Sequence, residues 1–467
     1  MNSLRLFSAL CCLVVLTPSV RAEEPPTRPN IVFLLVDDLR WNTPGFAGNT
    51  KVQTPNIDAL AARSVVFRNA FVTTSICCVS RASILSGQWE RRHKIVDFVT
   101  PFTAAQWAET YPALLKKAGY RTGFVGKFGV GSAKATAAMS SAFDYWRGLP
   151  GQGGESFFLK NDPTHTHATA RFGNQALEFL ADAKAGQPFC LSVSFNAVHA
   201  RDGQPREFEP DPRDETLYAD TELPLPALAT EAAFQRLPEF VQKSEGRTRW
   251  RWRFATPEKA QGILRDYYRL LTGVDREVGR IVAELEKRGL AQNTVIIFTS
   301  DNGFALGDRG LADKWFAYEE DLRVPLFIYD PRQPVKTTVD AMALNVDLAP
   351  TMLALAGVPA PASMQGRSLL ALTRGESAPG DWRKEFFYEH HSVPAKIPPV
   401  EAFRTEHWKY LRWLPQTGPG IEHGAVEELY DLEHDPLEEK NLATDPAQAA
   451  IMEELRAKWE KAGTELR

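Results

Sequence analysis

Short apolar runs that end in polar or charged residues alternate along this chain with segments of helical period. Ile31–Val36, Thr122–Val125, Phe189–Phe195 and Thr294–Ser300 predict strands. Asn56–Val65 predicts a helix, with Ile57, Leu60, Ala61 and Ser64 at helical spacing and Pro55 at its start. Further helices are predicted over Tyr111–Ala118, Thr169–Ala183 and Pro257–Arg288, the last stopped by Gly289. This alternation argues for an α/β fold with a mostly parallel central sheet covered by helices on both faces. Pro359–Pro361 marks a boundary. Beyond it Phe386–Glu389, Trp408–Trp413 and Glu428–Leu432 read as short antiparallel strands, and Ala447–Ala462 as a terminal helix. The expected organisation is a leader over residues 1–22, a catalytic α/β domain over 23–358, and a smaller C-terminal α+β subdomain over 359–467.

One segment breaks the pattern. Arg247, Arg249, Arg251 and Arg253 alternate with Thr248, Trp250, Trp252 and Phe254, so an extended chain would place four guanidinium groups on one side. That face could grip oxyanion groups along a polyanionic ligand. It could equally be an ordinary strand with a solvated basic face, or pair with the acidic stretch Glu207–Glu215.

The chain has 467 residues, 44% of them hydrophobic, which suffices for a large core. A net charge of −4 gives no sign of a nucleic-acid partner. Arg5, the apolar run Leu6–Leu16 and Val20-Arg21-Ala22 form a secretory signal pattern, with cleavage expected after Ala22. That run is too short to span a bilayer, and no later one is long enough, so a secreted or periplasmic protein without a transmembrane segment is expected. Removal of the leader leaves Cys77, Cys78 and Cys190, too few for a disulfide scaffold. Cys190 lies in an apolar strand pattern and reads as a buried, inert thiol. The absence of any Asn-x-Ser/Thr sequon favours a bacterial route of export.

In open parallel sheets, sites gather at the carboxyl ends of strands. Four candidate segments lie there: Asp37-Asp38, Gly126-Lys127, His199 and Asp301-Asn302. The two oxygen-bearing pairs supply hard donors that suit Ca²⁺ or Mg²⁺ better than Zn²⁺. Read locally, the same residues could cap a turn after each strand. The stretch Cys77-Cys78-Val79-Ser80-Arg81-Ala82-Ser83-Ile84-Leu85-Ser86-Gly87 puts a thiol four residues before an arginine at the start of a helix. A side chain at such a turn meets a guanidinium and free backbone N–H groups, a setting that suits a nucleophile attacking an anion.

Together these segments resemble the sulfatase family of the alkaline-phosphatase-like hydrolases. The likeness extends through Pro29–Arg40, Thr54–Ala70, Gly119–Gly131, Phe195–His199, Asp301–Pro325 and Glu428–Pro436. The resemblance implies one calcium ion bound by Asp37, Asp38, Asp301, Asn302 and residue 77. It implies oxidation of Cys77 to formylglycine by a formylglycine-generating enzyme. One hydroxyl of the hydrated aldehyde then attacks sulfur, and the other later expels sulfate. It further implies that Arg81 holds the diol, that Lys127 and Lys314 hold sulfate oxygens, and that His199 serves the leaving oxygen. Two-zinc relatives use additional histidine ligands, whereas Gly307-Asp308-Arg309-Gly310 offers an arginine there, which points to a single hard ion.

The chain departs from the family pattern at Val79, where proline or alanine is usual. It departs again at Phe128-Gly129, where many arylsulfatases carry tryptophan and histidine. Members similar to N-acetylglucosamine-6-sulfatases also lack that histidine and share the doubled cysteine. The expected substrate is therefore a sulfated carbohydrate, with His93, His390 and His391 as possible sugar contacts. A phosphonate or phosphate monoester hydrolase with the same nucleophile, or a non-catalytic sulfated-glycan-binding homologue, are the alternatives.

Overall fold

The computed structural model describes residues 28–153, 157–158, 164–333, 335–391, 396–417 and 422–467. The leader pattern lies outside the described residues. The main sheet has eight strands, in the order Thr337–Val339, Val65–Phe67, Leu326–Tyr329, Thr294–Ser300, Asn30–Val36, Phe189–Phe195, Arg121–Lys127, Tyr145–Leu149. All pairings are parallel except the two made by Leu326–Tyr329.

The central strands are buried on both faces, in keeping with their largely apolar runs. Val32, Leu34 and Val36 point into a core shared with the helices Ala168–Ala181 and Pro257–Lys287. Ile31, Phe33 and Leu35 point the other way, against Tyr111–Lys117, Leu348–Leu355 and the Cys77 helix. The register aligns the strand ends: Val36 lies opposite Phe195 and Ser300, and Gly126 opposite Ser194. The residues that follow these strands therefore emerge side by side along one edge.

A second, antiparallel sheet runs Glu385–His390, Val400–Thr405, Trp408–Trp413, Val426–Asp431 and packs on the helix Ala449–Glu465. It reaches back to the first sheet's edge. The Glu389 amide donates to Thr73 O, and the Tyr388 hydroxyl donates to Trp315 O at 2.8 Å. Among the described residues no helix is long and apolar enough to cross a membrane.

Three local expectations fail. The helix over Asn56–Val65 ends at Ala61, and Val65 opens the strand Val65–Phe67. The β-branched Val65-Val66 pair gains sheet partners on both sides, Phe327 and Ile328 on one and Thr337 and Thr338 on the other. The strand Val400–Thr405 is absent from the sequence reading because its alternation is broken by buried Glu401 and Arg404. Arg247–Phe254 is not extended, since Glu245–Arg253 is a helix. The proposed basic face does not form: Arg249 and Arg253 turn into the protein, and Arg247 lies over the rings of Phe234 and Trp250. The acidic stretch contributes one partner to this helix, Glu207, which binds Arg253.

Candidate active site

Residue 77 opens the helix Cys77–Ser86, every residue of which is buried. Ile76 before it is extended, and no side chain caps the helix, so the first-turn N–H groups face the strand-end edge without a side-chain acceptor. One turn later Arg81 projects on the same face as Cys77. Its Nε donates to Asp301 Oδ2 at 2.8 Å, and its Nη1 donates to Lys127 O at 2.6 Å and Ser194 Oγ at 2.5 Å. A buried guanidinium with this many fixed acceptors is immobilised as well as charged.

Asp37 and Asp38 directly follow the central strand, Asp38 in the left-handed region at φ 59°. Lys127 Nζ donates to Asp37 Oδ2 at 2.6 Å, and Lys314 Nζ donates to Asp38 Oδ1. Asn302 Nδ2 donates to Asp38 Oδ1 at 2.8 Å, and the Asp38 amide donates to Asp301 Oδ1 at 3.1 Å. Lys314 Nζ also lies 3.0 Å from Cys77 Sγ, and His199 Nε2 lies 3.5 Å from Asp38 Oδ2. All nine residues singled out for the site thus form one connected cluster. Asp37, Asp38, Cys77 and His199 each offer a ligand atom, and these atoms lie within 4.8 Å of one another.

The electrostatics follow from burying three carboxylates with three permanent cations. Burial would raise Asp37, but Lys127 and then Arg81 hold its carboxyl well below the ordinary range. Burial and the neighbouring Asp37 charge push Asp301 up to about 7 against the pull of Arg81. Burial would lower Lys314, yet Asp38 raises it well above the usual lysine value. His199 is lowered by burial, with Asp38 opposing. Burial pushes the Cys77 thiol up to about 12 despite both lysines, so an unmodified residue 77 carries almost no thiolate at neutral pH and is a weak nucleophile.

The donor set fits a hard divalent cation on one structural ground. Asp37 Oδ1 and Asn302 Oδ1 are buried acceptors with no hydrogen-bond donor, the first only in an ion pair at 3.4 Å with Arg81 Nη2. Buried acceptors are rarely left so, and a cation between them would satisfy both. Arg309, which the sequence places where two-zinc relatives have a ligand, is bound to Glu320 and Glu438.

The three auxiliary histidines do not reach this cluster as free groups. His93 is buried against Ser83, His390 is buried, and His391 is held between Glu90 and Glu401. Residues missed from the sequence include Ser194, which accepts from Arg81, and Tyr267, whose hydroxyl donates to Asp38 O at 2.8 Å. Ser192 and Ser194 are the polar interruptions in an otherwise apolar strand, a signal that was available; Tyr267 sits at a core position of a long helix and gives none.

Comparison with known proteins identifies the family. The family model described as Sulfatase matches residues 29–358, and that described as N-sulphoglucosamine sulphohydrolase, C-terminal, matches 307–465. An N-acetylglucosamine-6-O-sulfatase of Bacteroides thetaiotaomicron is 28% identical, over 94% of this chain and 87% of its own. An ulvan-active sulfatase of Formosa agariphila is 27% identical, over 96% and 83%. A solved structure in complex with its substrate D-glucosamine-2-N,6-O-disulfate superposes with a TM-score of 0.78 at 28% identity, covering 94% of this chain and 98% of that one. A phosphonate monoester hydrolase of Agrobacterium radiobacter shares the fold, with a TM-score of 0.76 at 21% identity over 94% and 96%. With the catalytic family model spanning more than half of its length, this chain belongs to the sulfatase family and is a sulfuric ester hydrolase.

Proposed function

We propose that the protein hydrolyses sulfate esters of a sulfated carbohydrate, using formylglycine derived from Cys77 and calcium held by Asp37, Asp38, Asp301, Asn302 and residue 77. The observation that carries this reading is the buried junction of Cys77 with Lys314 and of Lys314 with Asp38, where an anion and a cation would meet. The carbohydrate class rests on the relatives named for N-acetylglucosamine and ulvan and on the sugar disulfate bound in a similar structure. Calcium, when bound, would acidify the hydroxyl of hydrated formylglycine and neutralise sulfate oxygens.

The chain's own residues supply the rest. Arg81 is pinned by Asp301, Lys127 O and Ser194, so it can hold an oxygen on residue 77 in one place. Lys127 and Lys314 are compact cations beside Asp37 and Asp38, and both can turn to the free oxygens of a sulfate as those carboxylates engage a metal. His199 is the most exposed of the cluster, at 26%, which supports its assignment to the leaving alcohol. Burial keeps it neutral in the free protein, while an arriving sulfate dianion or monoester would favour its protonated form, ready to donate to that alcohol.

Residues 1–22 act in this reading as an export signal. A formylglycine-generating enzyme is the maturation partner, residues 23–358 carry the chemistry, and residues 359–467 support it. The test is mass spectrometry of the peptide spanning residues 71–91 from a host with the maturing enzyme, alongside sulfate release from N-acetylglucosamine 6-sulfate. An aldehyde at residue 77 with sulfate release supports the proposal. Faster turnover of a nitrophenyl phosphonate than of any sulfate ester would refute it. So would an intact thiol with glycan binding that survives Cys77→Ala.

A further inference from the structure

His199 and Lys314 sit on loops far apart in sequence, and one side chain joins the two. Arg253, at the end of the helix Glu245–Arg253, is completely buried. Its Nε donates to Glu207 Oε2 at 2.5 Å, its Nη2 donates to Asp202 Oδ1 at 2.6 Å, and its Nη1 donates to Asp313 Oδ1. Asp202 and Glu207 belong to the loop that begins at His199. That loop is closed on itself by the Arg201 amide donating to Glu207 O and the Gly203 amide donating to Glu207 Oε1, both at 2.8 Å. Asp313 immediately precedes Lys314.

Arg249, one turn earlier on the same helix face, repeats the bridge. It binds Asp313 and, at 2.7 Å, Asp202, and its guanidinium lies 5.1 Å from the Trp315 ring centre. Lys314 is thereby bracketed by two residues in contact with these arginines. Both brackets, Asp313 at φ 77° and Trp315 at φ 98°, hold backbone conformations that non-glycine residues seldom adopt without support. Among the described residues, the regular pairing in this stretch is the two-residue ladder of Ala312–Asp313 with Ala305–Leu306.

We propose that Arg253, seconded by Arg249, is a positioning residue that locks the Lys314 loop to the His199 loop through Asp313 on one side and Asp202 and Glu207 on the other. The lock sets the distance between the cation that holds sulfate and the imidazole that serves the leaving oxygen. This rests on the functional reading above. The guanidinium fork is needed because three carboxylates approach from three directions, which an ammonium on a flexible stem cannot meet with fixed geometry.

The mature, formylglycine-bearing enzyme would be compared with Arg253→Lys and with the milder Asp202→Asn, which neutralises the 35% exposed carboxylate that Arg253 and Arg249 share. Three readouts are taken on the folded fraction: kcat and KM for nitrophenyl sulfate and for a sugar sulfate, inorganic sulfate affinity by calorimetry, and thermal unfolding. Arg253→Lys is expected to lower kcat/KM by about tenfold or more on both esters and to weaken sulfate binding, since small displacements of positioned groups are costly. Asp202→Asn is expected to lower kcat on the sugar sulfate more than on nitrophenyl sulfate, whose leaving group needs no proton. Variants that unfold at lower temperature but keep wild-type kcat, leaving-group dependence and sulfate affinity would overturn the proposal. A wild-type enzyme that releases no sulfate would instead count against the functional reading; the calorimetric arm would still decide whether the lock holds Lys314.

Discussion

Gly129 lies directly beneath Arg81: a Cβ placed on it would come within 2.6 Å of Arg81 Cδ and 3.2 Å of Nε. The backbone there has φ +74°, a region open to glycine and strained for other residues. Arg81 cannot move aside cheaply, because three of its hydrogen bonds are to buried partners. A glycine at position 129 is therefore built into the packing of the site. Gly129→Ala is expected to lower kcat/KM by about tenfold or more through displacement of Arg81. It should also cost about 1 kcal/mol of stability from the backbone alone. Sulfate-release kinetics and thermal unfolding of the same preparation check both, and wild-type kinetics in the variant would remove the stated role of Gly129.

Lys314 contacts both Cys77 and Asp38, so its loss should be felt in the chemical step. Lys314→Ala is expected to reduce kcat/KM by about 10²–10³, the scale of deleting one preorganised donor in a buried anion site. Lys314→Arg should not rescue, because the larger planar head cannot occupy the space between a sulfur at 3.0 Å and the Asp38 carboxylate. Steady-state kinetics on both variants give the answer, and full rescue by arginine would show that charge alone suffices.

Asp37, Asp38 and Asp301 are buried within the one cluster proposed to hold calcium, in which Asp37 Oδ1 and Asn302 Oδ1 accept no hydrogen bond. Stripping the protein with a chelator is expected to abolish turnover and lower the unfolding temperature. Calcium should restore both better than magnesium, which tolerates the irregular donor set less well. At a hundredfold excess over its dissociation constant, the ion should stabilise the fold by about 2.7 kcal/mol. Calorimetric unfolding across a calcium titration measures this; insensitivity to calcium would exclude the assigned ligands.

His391 sits between Glu90 and Glu401, at 3.0 and 2.9 Å. Burial would lower its pKa, but hydrogen bonds to Glu401 and Glu90 prevail and raise it from 6.5 to about 10. A histidine raised in the folded state stabilises fully below its unfolded pKa and loses that contribution as pH rises through the folded one. The stability gap between wild type and His391→Gln should thus be widest below about pH 6.5 and close progressively towards about pH 10. Chemical denaturation of both proteins across that range is the measurement, and a gap that widens with pH would contradict the sign.

The central strands were legible because their signal is redundant. Ile31–Val36 is apolar at every position and Thr294–Ser300 is apolar from Val295 to Phe298, runs that suit a strand buried on both faces, and each strand stops at a pair of oxygen-bearing side chains. The Cys77 segment was legible for a different reason: the thiol and Arg81 are one helical turn apart, so local geometry alone puts them on one face.

What the sequence determined by itself was therefore whatever depends on short-range periodicity: the parallel core, the strand-end donors, the nucleophile's turn, and the family likeness these carry. Which charges meet depended on contacts between distant segments. Alternating arginines at 247–253 fit a strand as well as a helix until Asp202, Glu207 and Asp313 arrive from three other segments and reward the helical spacing of Arg249 and Arg253. Likewise, nothing local distinguishes Val65 as strand from Val65 as helix end before Ile328 and Thr337 flank it. Ion pairs and sheet ladders join residues distant along the chain, and their free energy is set by burial and geometry that no window of neighbouring residues contains.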